Sequence, residues 1–166
     1  MATFALPGRP EFAVADGRGH IYDNLEDKNE VALINTRTLR VEPLWPLGTG
    51  TGPSGLAMDE RNRRLFSVCD NQKMMVMARG ELLDRLGWNE CDNQKMVVMD
   101  ADNGRVLATL PIGNGPDACA FDPATHLIFC PNGEDGTLTV VREEGPMFLT
   151  RVAKVVASST CSATSC

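Results

Sequence analysis

Histidine is nearly absent from these 166 residues, with two in all, and aromatic residues make up 5% of the chain. No C-x-x-C pair occurs among the six cysteines. With only His20 and His126, a zinc site of ordinary sequence spacing has no ligand set, so the expectation is no metal and no cofactor. Cys119 and Cys130 stand in apolar runs, Cys69 and Cys91 in a repeated phrase, and Cys161 and Cys166 in a polar tail. Such thiols read as small hydrophobes rather than redox groups. Basic clusters are also missing: 16 Lys and Arg stand against 22 Asp and Glu, a net charge of -6, and the densest basic run is Arg61-Asn-Arg-Arg64. Nucleic acid and anionic membrane are therefore poor partners. Apolar runs stop far short of the roughly 18 residues of a membrane span. The start, MATFALPGRP, lacks the basic and apolar regions of a signal peptide, and the expectation is a soluble chain.

Catalytic signatures are equally scarce. There is no serine elbow, no nucleophile with a plausible histidine base and no H-E-x-x-H helix, so no catalytic residue is assigned. Gly50-Thr-Gly-Pro-Ser-Gly55 fits the dinucleotide fingerprint, but Gly113-Asn-Gly-Pro-Asp-Ala118 nearly repeats it. A motif that recurs with the chain's own period, and that no helix follows, reads as a turn between repeats.

That period is present in three segments: Gly8 to Asp16, Gly52 to Asp59 and Gly115 to Asp122. Each runs from Gly past a Pro, through a short apolar stretch, to Asp. From Gly8 to Gly52 is 44 residues and from Gly52 to Gly115 is 63, and the aromatics Tyr22, Phe66 and Phe129 show the same two intervals. The phrase Cys69-Asp-Asn-Gln-Lys-Met-Met-Val-Met77 returns 22 positions later as Cys91-Asp-Asn-Gln-Lys-Met-Val-Val-Met99, and subtracting that offset brings 63 to 41. A period just above 40 is a propeller-blade signal.

Within each period four strands are expected, short and apolar, separated by Gly, Asn, Asp or Pro. They are 11–15, 20–24, 30–35 and 40–47; then 54–58, 64–69, 95–100 and 105–112; then 118–121, 127–130, 137–142 and 148–156. The expected fold is all-β, a partial β-propeller of about three four-stranded antiparallel blades over 1–156. Its blades run about 8–48, 49–113 and 114–156, with a short helical or irregular insertion at 78–90 and a disordered tail at 157–166. Of the two copies, Lys73 to Met77 and Lys95 to Met99, the second is expected in the sheet because it runs directly into the turn Asp100-Ala-Asp-Asn-Gly104.

Val31 to Thr38, Val97 to Gly113 and Gly115 to His126 carry a resemblance: over Gly8 to Val156 the chain resembles the YVTN-repeat β-propeller family, the YncE-like group of WD-repeat-like proteins. The tetrapeptide itself is degenerate, as Tyr22-Asp-Asn-Leu25, Phe66-Ser-Val-Cys69 and Phe129-Cys-Pro-Asn132. The resemblance implies exported, seven-bladed relatives, periplasmic or secreted at full length, of which this chain would be a truncated or rearranged member.

In-phase Asp16, Asp59 and Asp122 are read as turn caps. Asp23, Asn24, Asp70, Asn71, Asp92, Asn93 and Asn132, in the loops expected after the second strands and gathered on one face near the axis, are the candidate ligand or partner face; their alternative is plain turn chemistry. The functional expectation is a non-catalytic binding or scaffold module for a protein or small molecule. Its rivals are a lactonase-like or quinoprotein-like enzyme with an axial site, and a fragment with no function of its own that self-associates through open blade edges.

Overall fold

The structure, a computed structural model, describes residues 3–70, 94–145 and 148–156. Twelve strands form three sheets, each an antiparallel meander. The first holds β1 (Pro10–Ala15), β2 (His20–Leu25), β3 (Glu30–Asn35) and β4 (Arg40–Pro46). The second holds β5 (Pro53–Asp59), β6 (Arg64–Cys69), β7 (Lys95–Asp100) and β8 (Val106–Pro111). The third holds β9 (Ala120–Asp122), β10 (Leu127–Asn132), β11 (Thr137–Gly145) and β12 (Phe148–Val156). No helix occurs among the described residues, so none is long and apolar enough to cross a membrane. The insertion expected at 78–90 and the tail at 157–166 lie outside the described residues.

Burial explains the strand sequences. β6 and β7 lie mid-sheet with neighbouring sheets on both faces, and they read as near-continuous apolar runs, Leu65-Phe-Ser-Val-Cys69 and Met96-Val-Val-Met99. Alternation then sorts them by face. Leu65, Cys69, Val97 and Met99 pack with Tyr22, Val31 and Leu47 in the seam between the first and second sheets. Phe66, Val68, Met96 and Val98 pack with Cys119, Ile128, Cys130 and Val141 in the seam between the second and third. Each fully buried side chain of this size contributes about 1.5–3 kcal/mol, so the two seams outweigh any surface ion pair. The fourth strands, β4 and β8, are half exposed, as edges should be.

Three local devices fix the geometry. The β5 backbone passes so close to the third sheet that a Cβ on Gly55 would lie 2.5 Å from the Ala118 carbonyl carbon. No other residue fits there without displacing main chain. The repeated aspartates cap the turn between first and second strands. Asp16 Oδ1 accepts from the amides of Arg18 and His20, Asp59 Oδ1 from those of Arg61 and Asn62, and Asp122 Oδ1 from that of Ala124. The turn from third to fourth strand is closed by an amide bonding back four residues, Leu39 to Asn35 and Gly104 to Asp100. Both Leu39 and Gly104 sit in the left-handed region, at φ of 53° and 71°.

Candidate functional site

At the end of the sheets opposite the aspartate-capped turns, the starts of the first strands and the links from second to third strands of all three sheets converge. They line a cleft of about 440 Å³. Glu11 and Glu26 come from the first sheet, Asp70 and Ser54 from the second, and Asp117 and Glu134 from the loops of the third. Five carboxylates thus face one depression, and its lining includes no Lys, Arg or His among the described residues.

The walls are held by main chain. Gly52 and Gly115, at φ of 58° and 65°, turn the chain into the first strands at equivalent repeat positions. Gly133 donates its amide to Gly115 O at 2.7 Å, Asp70 to Gly52 O at 3.1 Å, and Ser54 Oγ to Pro116 O. The second sheet is thereby tied to the third directly beneath the cleft. Electrostatically the rim is strained: the Glu11 carboxyl is pushed up, first by sharing a hydrogen bond with the Glu26 carboxyl, then by burial and by the charge of Glu26, while Arg9 opposes the shift. Arg9 also forms an ion pair with Glu26. Gln94 Nε2 stands 3.5 Å from Asp70 Oδ1.

Of the residues singled out in the sequence, Asp70 lines this cleft. Asp23 and Asn24 are buried within β2 rather than in the loop that follows it. Asn24 donates through Nδ2 to the carbonyls of Ser54 and Gly55, 3.0 Å each, and accepts from Ser67 Oγ at 3.0 Å. Its side chain stitches the first seam. Asn132 ends β10 and is equally buried, its Nδ2 donating to Thr137 Oγ1 at 2.9 Å and Thr139 Oγ1 at 3.0 Å. Asp23 turns to the other face of the first sheet; burial, with the Glu11 carboxylate adding and the Glu11 amide opposing, pushes its carboxyl up to about 6. Asn71, Asp92 and Asn93 lie outside the described residues. Sequence reading missed Glu11, Glu26, Asp117 and Glu134. Glu11 and Asp117 adjoin the recurrent Gly-Pro turns, whereas Glu26 and Glu134 stand in the links from second to third strands, where no local spacing marks them.

The three described cysteines, Cys69, Cys119 and Cys130, are buried free thiols. Burial pushes the Cys69 thiol up to about 12, which keeps it a protonated, weakly nucleophilic core side chain at neutral pH.

Three consecutive four-stranded meanders packed face to face define three blades of a β-propeller. No family model and no curated protein matches the sequence. Solved structures do match in shape. The hydrazine synthase of Kuenenia stuttgartiensis superposes with a TM-score of 0.67 at 14% identity, over 95% of this chain and 38% of that one. The Cps50 (Swd1) β-propeller domain of Myceliophteria thermophila gives 0.64 at 13%, over 92% and 41%. A putative 6-phosphogluconolactonase from Bacteroides uniformis gives 0.65 at 10%, over 92% and 42%. The chain thus spans about two-fifths of the length of these propellers, and likeness at such identities is a likeness of fold.

Proposed function

We propose that this chain is a non-catalytic binding module, a divergent relative of the YVTN-repeat propellers, whose acidic cleft receives a cationic group of a protein or small-molecule partner. The observation that carries this reading is the convergence of Glu11, Glu26, Asp70, Asp117 and Glu134 from three separate blades on one depression. Like charges so arranged repel one another when the cleft is empty, and the repulsion is relieved by an incoming positive charge. The Glu11 carboxyl is held up first by the hydrogen bond it shares with Glu26 and then by burial, with the charge of Glu26 adding. A lactonase-like enzyme with a phosphorylated substrate fits this cleft worse, because an anionic phosphate would meet five carboxylates and, among the described residues, no cation of the lining, Arg9 nearby being engaged by Glu26. The YVTN reading brings with it an exported setting for longer relatives.

A short arginine-rich peptide serves as the probe, titrated calorimetrically into the full chain at low ionic strength. Binding is expected, weakening as salt is raised. It should weaken about tenfold or more in the double variant Asp117→Lys, Glu134→Lys, whose exposed positions spare the fold. Absence of binding at low salt, or binding indifferent to both charge reversals, overturns the reading.

A further inference from the structure

The two seams carry the same polar corner at the end far from the cleft, built from different residues. At the first seam Asp16 is buried at 2% exposure, and the Arg63 guanidinium reaches across to it, Nη1 3.2 Å from Oδ2. Arg63 Nη2 donates to Tyr22 Oη at 2.9 Å, and the Tyr22 hydroxyl donates to Ala101 O at 2.8 Å. A fixed cation therefore closes this corner.

At the second seam the repeat places Asp59 where Asp16 stands, Phe66 where Tyr22 stands, and His126 where Arg63 stands. Arg63 and His126 share a φ of 56°. Glu143 replaces Ala101: the amide of Ala101 donates to Arg63 O at 3.0 Å, and that of Glu143 to His126 O at 2.9 Å. The guanidinium and the tyrosine hydroxyl are gone, and a second carboxylate has been added. Asp59 is 2% exposed and Glu143 5%. One ligand atom from each of Asp59, His126 and Glu143 lies within 4.8 Å of the others. Neither Glu143 oxygen receives a hydrogen bond among the described residues, and Arg64 Nε stands 3.9 Å from Oε1. Two facing buried carboxylates are reconciled either by a proton held between them or by a cation; Arg64 pairs with Glu143 from one side, and a metal ion seated among Asp59, His126 and Glu143 would take the proton's place.

We propose that Asp59, His126 and Glu143 bind a divalent transition-metal ion of the Zn²⁺ class, which closes the second seam as the Arg63 guanidinium closes the first. One imidazole nitrogen with two carboxylates suits such a borderline ion, whereas Ca²⁺ and Mg²⁺ take all-oxygen sets. The Asp59 carboxylate is already aimed: the amides of Arg61 and Asn62 donate to Oδ1, and Asn62 Nδ2 donates to Oδ2 at 2.8 Å. The His126 ring is steadied edge-on against Phe121, centroids 6.3 Å apart. Such outer contacts orient ligands without consuming all their lone pairs. Three protein ligands leave a coordination position for water, and His126, half-buried, gives the ion a route in.

The test is Co²⁺ and Zn²⁺ titration of the full chain with its cysteines reduced. Wild-type protein should take up Co²⁺ with visible d–d bands and without thiolate charge-transfer absorption, and Zn²⁺ should displace it and raise the melting temperature. Glu143→Gln and His126→Asn should each weaken uptake about tenfold or more and abolish the Zn²⁺ effect on melting. Metal-free Glu143→Gln should fold at least as well as wild type, since it removes a buried charge while keeping the shape. No uptake of either ion, uptake unchanged in both variants, thiolate bands, or a preference for Ca²⁺ over Zn²⁺ each overturns the assignment.

Discussion

Asn24 turns toward the first seam, where its amide meets the carbonyls of Ser54 and Gly55 and the hydroxyl of Ser67. Asp23, one position earlier, turns to the opposite face, where Oδ1 lacks a hydrogen-bond partner. Both were legible as polar residues of interest but were expected in the loop after the second strand, and neither their place within β2 nor their orientation was legible. Alternation decides the face, but the face that is covered depends on how sheets stack, which no local spacing contains. The Asp23 carboxyl, raised from 3.8 to about 6 mainly by burial, makes a testable residue-scale case. Because the folded state holds this proton more tightly than the open chain, its penalty is absent below about pH 4 and grows as pH rises through 6, to at most about 3 kcal/mol. Asp23→Asn should therefore raise stability at pH 7 by about 1–2 kcal/mol and lose that advantage near pH 4, as read by urea unfolding at the two pH values. An equal gain at both would mean that the charge is not the cause.

Most strands were readable to within a residue or two, because their apolar runs end at Gly, Asn, Asp or Pro. The third strand of the third sheet is the exception, running to Gly145 rather than Arg142; the first strand of that sheet begins at Ala120 rather than Ala118, since the Ala118 backbone is pressed against Gly55 of β5 rather than paired in its own sheet. The duplicated phrase was also readable, down to the copy that fills the sheet, Lys95 to Met99 in β7. β2 to β3 and β10 to β11 are linked by four residues each, 26–29 and 133–136, whereas 70–94 link β6 to β7, 21 more and close to the 22-residue offset of the copies. One difference between the copies bears on packing. The second has Val97 where the first has Met75, and the Val97 methyl sits so close to Gly50 that a Cβ there would lie 2.7 Å from it. A methionine at this buried position overfills the first seam. Val97→Met should cost about 1–3 kcal/mol in chemical denaturation, and an unchanged midpoint would show that the slot tolerates either version.

For the whole molecule, the period of just over 40 made the propeller legible, since two independent markers, Gly and aromatic, agreed on it. What the period could not show is how blades grip one another, because the gripping residues are far apart in sequence and differ between seams. Arg63 reaches 47 residues back to Asp16. Burial alone would raise the Asp16 carboxyl, but the amides of His20 and Arg18, the His20 ring and Arg63 together hold it at about 2. With the folded carboxyl below its open-chain value of 3.8, the stability it lends is complete above that pH and is lost as pH falls through about 2. Arg63→Met keeps the length of the side chain and removes the cation, leaving Asp16 buried on its three remaining donors. The loss should be about 2–4 kcal/mol at neutral pH, and acid unfolding should begin at higher pH than in wild type. Hydrogen exchange then locates the effect. Amides of β1 and β2, on the far side of the first seam, should lose more protection than those of β9 and β10, whose contacts with the second sheet the substitution does not touch. Uniform loss across all three sheets would show that the blades unfold as one unit and that the Asp16–Arg63 contact stabilises the whole molecule rather than one seam.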